Sequence, residues 1–220
     1  MPTQLDHLVL GAETLEQGVR YIESVFGVTV PAGGEHPLYG THNCVMQLGD
    51  DCYFEIIAIN PETTPLRSTP RWYGLDNAAT RARLSQGPEL IAWVASVDDL
   101  SAVRAQAHWI DGEISEISRG SMHWQMLLPA AGSLEDPLLP WLIHWPAGQH
   151  PKPNLQSLGC SLVSLSAAVP EPQNYSASLH AIGAGSLLNI QKSHAEHSRV
   201  TATIQSPKGR VELPGIAPVT

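Results

Sequence analysis

Glu55 stands inside Cys52-Tyr53-Phe54-Glu55-Ile56-Ile57-Ala58-Ile59, an apolar run rich in β-formers. A carboxylate carried into such a strand is costly unless it finds a partner. Two uses follow from that. It forms a structural salt bridge, with Arg20 or Arg71 as the cationic candidates, or it works at a site. A buried carboxylate with a raised pKa is suited to removing a proton next to a carbonyl. His7 sits in a second apolar run, Leu5-Asp6-His7-Leu8-Val9-Leu10, as a hydrogen-bonded strand histidine or a reactive one. His42 lies beside a turn, within reach of a cleft mouth. Trp72, Tyr73, Trp124, Trp141 and Trp145 are core residues by default, but Trp72 and Tyr73 occupy a long connection and are the stronger pocket residues. His194-Ala195-Glu196-His197 has metal-ligand residue types, yet its place between two strands reads as a solvated turn. A glycine-rich phosphate loop, a Gly-x-Ser-x-Gly elbow and a Cys-x-x-Cys pair are all missing from the sequence, so no nucleotide cofactor is expected.

These residues need strands and helices to hold them. After the His7 strand, Leu15, Val19, Ile22 and Phe26 fall on one helical face, with Thr14 and Gln17 as a capping box and Gly27 as the stop. A faint strand near Val28-Thr29-Val30 follows, then Cys44 to Leu48 and Cys52 to Ile59, which completes β-α-β-β-β. The order returns with Leu90 to Ala95, a helix opened by Asp98 and Asp99, and strands at 114–117, 122–128 and 139–145. It returns again with Ser161 to Leu165, a helix through Tyr175, Leu179 and Ile182, and strands at 186–190, 199–204 and 210–213. A five-element order rarely recurs by chance. The expected fold class is therefore α+β, from tandem βαβββ modules. Residues 61–88 form a crossover able to cover a cavity, and 146–157 a linker. An unpartnered third module would expose a sheet edge and an apolar face, so it should dock on the paired modules or on a second subunit, as in a homodimer.

The chain has 220 residues and a formal net charge of −9 with 12 Lys+Arg, which argues against nucleic acid or an anionic membrane as partner. Three scattered cysteines make no disulfide framework and suit a reducing compartment. The N-terminus lacks the charged and apolar regions of a secretory signal, and no apolar run reaches membrane-spanning length, so a cytoplasmic location is expected.

The doubled β-α-β-β-β unit, with His7 in its first strand and Glu55 in its fourth, resembles the vicinal oxygen chelate superfamily of glyoxalase I, extradiol dioxygenases, methylmalonyl-CoA epimerase and antibiotic-resistance proteins. Arg71 to Leu75, Arg119-Gly120 before Trp124, Leu139 to Trp145 and His150-Pro151 resemble its glyoxalase-like branch. The resemblance implies a glyoxalase-like domain over residues 1–151, with modules at about 4–60 and 89–146, a curved mixed sheet around a cleft, and a further module over 158–220. It also implies one divalent metal (Zn, Fe, Mn, Ni or Co) acting as a Lewis acid in lyase, isomerase or dioxygenase chemistry on a small oxygenated ligand. His7, Glu55 and His144 are the ligands it suggests, with Glu55 alternatively the catalytic base. His42, Trp72, Tyr73, His123 and Trp124 are the implied substrate-binding residues. Ala92 stands where a second-module ligand would be, which favours the alternative of a metal-free binding or sequestering protein.

Overall fold

The computed structural model describes residues 3–50, 52–64, 70–193 and 198–215. The His-Ala-Glu-His segment at 194–197 lies outside them. The first unit holds β1 (Gln4–Gly11), α1 (Leu15–Phe26), β2 (Gly34–His36), β3 (Thr41–Leu48) and β4 (Cys52–Ile59). The helix is bounded as its residue types dictate. Thr14 accepts a hydrogen bond from the Gln17 N–H at 3.1 Å, and Gly27, at φ 73, closes the last turn onto the Glu23 carbonyl. Residues 28–30 are not a strand. The Glu23 carboxylate accepts the Val30 N–H at 3.0 Å, so this backbone is tied to α1 and the second strand begins later, at Gly34. The crossover carries a short turn at Trp72–Gly74 and α2 (Ala78–Leu84), a helix whose period is too brief to stand out in the sequence.

The second unit is β5 (Glu89–Ser96), α3 (Leu100–Val103), β6 (Gly112–Arg119), β7 (Met122–Pro129) and β8 (Trp141–His144). The two units share one eight-stranded sheet of order β2-β3-β4-β1-β5-β8-β7-β6. In each unit the fourth strand lies parallel to the first, and β1 and β5 join antiparallel at the centre. His7 faces Val94 across that seam and Val9 faces Ala92, so an approximate two-fold relates His7 to Ala92. Glu55 stands beside Val9 as Trp141 stands beside Val94, which relates Glu55 to Trp141.

The third unit is β9 (Ser161–Val169), α4 (Pro172–Ala181), β10 (Asn189–Lys192), β11 (Arg199–Ser206) and β12 (Gly209–Pro214). Its element order is the expected βαβββ, but its sheet is woven differently. Its order is β10-β9-β11-β12, with the first strand inside the sheet. It docks on the paired units. Leu165, Ala167, Val200, Ala202 and Ile204 share one apolar core with Leu8, Leu10, Ile22, Phe26 and Phe54, on the face of the large sheet away from the cleft. Lys208 donates its backbone N–H to the Phe26 carbonyl at 3.3 Å and its Nζ to the Ser24 carbonyl at 2.6 Å. Each large apolar side chain so buried contributes roughly 1.5–3 kcal/mol. A chain ended at residue 157 is therefore expected to aggregate or to unfold at a markedly lower temperature than the full chain. A monodisperse truncated monomer with unchanged thermal stability would contradict this role.

Candidate functional site

Strand alternation sends His7 and Val9 of β1, Asn43 and Val45 of β3, and Tyr53, Glu55 and Ile57 of β4 to the concave face of the large sheet. A small cavity of about 40 Å³ lies there, walled by Trp72, Tyr73, Trp124, Trp145 and Pro151 and floored by His7 and Glu55. That is room for a few water molecules or a guest of few heavy atoms, well below the pocket size of a drug-like ligand.

Asp6 completes the floor by a backbone irregularity. Leu5 pairs with Ala95 and His7 with the adjacent Val94, so Asp6 is an extra residue in β1. In a regular strand Asp6 and His7 would point to opposite faces. The bulge brings them together, and Asp6 Oδ1 lies 2.7 Å from His7 Nδ1. Asp6 Oδ2 accepts from Trp145 Nε1 at 3.0 Å and contacts His150 Nε2 at 3.2 Å. On the other side, His7 Nε2 faces Glu55 Oε2 at 3.5 Å, and Glu55 Oε1 accepts from Asn43 Nδ2 at 2.6 Å. The Tyr53 ring stacks on His7 with centroids 4.3 Å apart. The Tyr73 hydroxyl is 3.5 Å from His7 Nε2. Tyr73 reaches this place with φ at 57, a left-handed conformation that costs a non-glycine residue energy and marks a position held by its surroundings.

The electrostatics follow from burial and pairing. Burial alone would lower the pKa of His7, but its hydrogen bonds to Asp6 and Glu55 outweigh that and raise it to about 9. Burial would likewise raise both carboxylates. Hydrogen bonds from His150 and His7 instead bring Asp6 down to about 2, and the His7 hydrogen bond brings Glu55 below its ordinary range. The raised Glu55 pKa expected from an apolar strand is thus reversed by the cation beside it. Neither expected arginine is that partner: Arg20 pairs with Glu16 and Arg71 with Asp76. At neutral pH the floor is an imidazolium held between two carboxylates.

Two histidines at the site respond oppositely to pH. His36 is pushed down to about 4 by burial, with Arg119 adding to the effect. The folded chain thus holds the His7 proton more tightly than the unfolded chain does, whose ordinary value is 6.5. That contribution is complete below pH 6.5 and is lost as the pH rises to 9. For His36 the unfolded chain takes the proton first, so stability falls as the pH drops from 6.5 toward 4. His42, lowered by burial, adds to the acid limb. Chemical denaturation should give a stability dome centred near pH 6.5, with limbs of up to about 1.4 kcal/mol per pH unit. A flat profile between pH 7 and 9 would contradict the buried imidazolium.

The remaining sequence-stated residues divide between the two faces. Trp72, Tyr73 and Trp124 line the cavity. His144 does not join His7 and Glu55. It shares the face of Leu142, its Nδ1 lies 3.0 Å from the Val97 carbonyl, and the inward positions of β8 belong to Trp141 and Ile143. His123 is exposed on the outer face of β7, opposite in alternation to Met122 and Trp124. His42 also turns outward from the cleft, into a separate groove with Leu15 and Arg81. The supposed metal trio is therefore not assembled, and among the described residues no three His, Cys, Asp or Glu side chains are grouped to hold a metal ion. The residues missed by sequence reading are Asp6, Asn43 and Arg119. Alternation from Glu55 across the β3–β4 hairpin could have found Asn43. Asp6 needed the bulge, and Arg119 needed the meeting of the two units.

Among the described residues no helix is long and apolar enough to cross a membrane. All three cysteines are free and buried. A family model described as a glyoxalase-like domain matches residues 5–183. No curated protein matches the sequence. Among solved structures, a hypothetical protein from Staphylococcus aureus aligns at TM-score 0.58 with 14% identity, over 99% of this chain and 88% of that one. That likeness is one of fold, and it extends through the third unit. Methylmalonyl-CoA epimerase from Streptomyces coelicolor, in complex with 2-nitronate-propionyl-CoA, aligns at TM-score 0.41 with 17% identity, over 68% of this chain and 99% of that one. The Mycobacterium tuberculosis epimerase aligns at TM-score 0.39 with 15% identity, over 65% and 88%.

Proposed function

The chain belongs to the glyoxalase-like domain family of the vicinal oxygen chelate superfamily, and from that premise we propose that its cleft binds a small oxygenated molecule and enolises it, with Glu55 as the base. One observation carries the reading: Glu55 Oε2 and His7 Nε2 face each other at 3.5 Å on the cavity floor, while Asn43 and Asp6 hold their outer atoms. A carbonyl oxygen at His7 would accept from the Nε2–H of an imidazolium, with the Tyr73 hydroxyl beside it. Glu55 would remove the proton from the adjacent carbon. The electrons of that C–H bond move into the carbonyl, and the imidazolium stabilises the enolate oxygen. Return of the proton from Glu55 completes an isomerisation or epimerisation. Because Glu55 is held ionised and weakly basic, the step depends on His7 acidifying the carbon.

Members of the superfamily commonly use a divalent metal as a Lewis acid. Here His7 Nε2 and Glu55 Oε2 suit that role, and the Asp6 hydrogen bond to Nδ1 is of the kind that orients a metal-bound histidine. The two-fold-related positions are Ala92 and Trp141, which donate nothing. Two donors fall short of the three protein ligands typical of a catalytic metal site, so the proposed steps run through protein groups alone.

The test is proton NMR in D₂O with a panel of short ketones, aldehydes and α-keto acids. Wild-type protein should exchange α-protons of at least one compound faster than buffer does, and a chelator should leave the rate unchanged. Exchange with no compound would end the enolising reading and leave binding without turnover. Exchange lost to the chelator and restored by added metal would move the chemistry to the metal.

A further inference from the structure

Arg119 comes from the end of β6 in the second unit and crosses the cleft to the first. Its Nη1 donates to Asn43 Oδ1 at 2.9 Å and lies 3.3 Å from His36 Nε2. Because a guanidinium donates and never accepts, His36 Nε2 must accept. Its proton is then on Nδ1, which faces Thr41 Oγ1 at 3.1 Å. His36 is therefore neutral, consistent with its depressed pKa. Both partners of Arg119 are uncharged, and among the described residues no carboxylate lies in an ion pair with it. Its other nitrogens make no hydrogen bond among these residues, yet the side chain lines the cavity. Trp72 lines the same cavity, and its buried indole N–H has no hydrogen-bond partner among the described residues. A cation with neutral neighbours and an orphaned donor, in one small aromatic-walled space, make a seat for an anion.

Asn43 sets how far that seat is from the base, since its amide accepts from Arg119 and donates to Glu55. One amide group thus separates the anion site from the carboxylate that would take the proton. We propose that the ligand is a short, free α-keto carboxylate, held by Arg119 through its carboxylate, and not an acyl group carried on a bulky thioester. The inference rests on the enolising reading for the identity of the reacting carbon, but the carboxylate seat stands on Arg119 and Trp72 alone. The size of the cavity agrees, because a space of about 40 Å³ takes a guest of few heavy atoms.

The experiment is equilibrium binding, followed by calorimetry or tryptophan quenching. The probes are pyruvate and α-ketobutyrate, compared with pyruvamide and propionyl-CoA. The acids should bind roughly 10–100-fold more tightly than the neutral amide, the difference expected for hydrogen bonds to a charged group. Arg119→Gln should weaken the acids by a similar factor and leave the amide unchanged, and Arg119→Lys should fall between. The amide comparison on wild-type protein needs no variant and covers the case in which Arg119→Gln fails to fold. Equal binding of acid and amide, tighter binding of propionyl-CoA, or no binding of any acid would overturn the proposal. Acids that bind through Arg119 while wild-type protein exchanges none of their protons would leave this inference standing and remove the enolising reading.

Discussion

Glu55→Gln should slow α-proton exchange by about 10²–10⁴-fold, the range a positioned general base contributes, and should also lower stability, because the amide NH₂ then faces the His7 Nε2–H in place of a carboxylate oxygen. Gln retains the shape and can still accept from Asn43 through its amide oxygen, so the β3–β4 contact survives. It cannot take a proton from carbon. His7 keeps Asp6 as its anionic partner but loses the share of its raised pKa that Glu55 supplies. Glu55→Asp should keep the chemistry at a reduced rate, because the carboxylate remains but retreats from the reacting carbon. Equilibrium binding of a carbonyl ligand should change far less than the rate in both variants. A Glu55→Gln protein that exchanges protons at the wild-type rate would exclude Glu55 as the base. One that loses binding and rate together would make it a binding residue.

Asp6→Ala should cost about 3–5 kcal/mol, the penalty for removing one partner from a buried charged pair. For a chain of this length that corresponds to a fall in Tm on the order of 10 °C. The reason is the number of groups that depend on one side chain. His7 Nδ1, Trp145 Nε1 and His150 Nε2 all converge on the Asp6 carboxylate, which is fully buried. Asp6→Asn should do little better. Its amide oxygen can serve His7, but its NH₂ then confronts N–H groups that need an acceptor. Both variants should also lower the His7 pKa and shrink the alkaline limb of the stability dome. Denaturant unfolding at pH 6.5 and at pH 9 measures both effects. Asp6→Asn within 1 kcal/mol of wild type, with the alkaline limb intact, would show that the carboxylate charge is not what holds the site.

Much of the architecture was legible in residue types. The helix from Leu15 to Phe26 was marked by its apolar face, its Thr14 cap and Gly27, and each does the expected work. The strand carrying Glu55 was marked by its run of β-formers, and the repeat of the five-element order foretold the paired units of the shared sheet. Local periodicity failed where a tertiary contact outweighed it. Val28 to Val30 has strand-forming residues, but the Glu23 carboxylate holds its backbone against α1. His144 was misassigned because one residue of register inverts the face of a strand, and β8 turns Trp141 and Ile143 inward instead.

By itself, then, the sequence determined most of the elements, and an imidazole and a carboxylate on the first and fourth strands, because those follow from composition and period; its motifs carried the family resemblance. Tertiary structure alone decided what surrounds them. A bulge is set by the pairing of β1 with β5, and it turns Asp6 onto the face of His7. The closure of the second unit on the first carries Arg119 to Asn43 across 76 positions of sequence. Strand order in the third unit depends on which edges find partners, so the same βαβββ order gives a different sheet that covers the outer face of the fold. Each of these is a long-range pairing, and local residue preferences carry no information about which distant strand will be met.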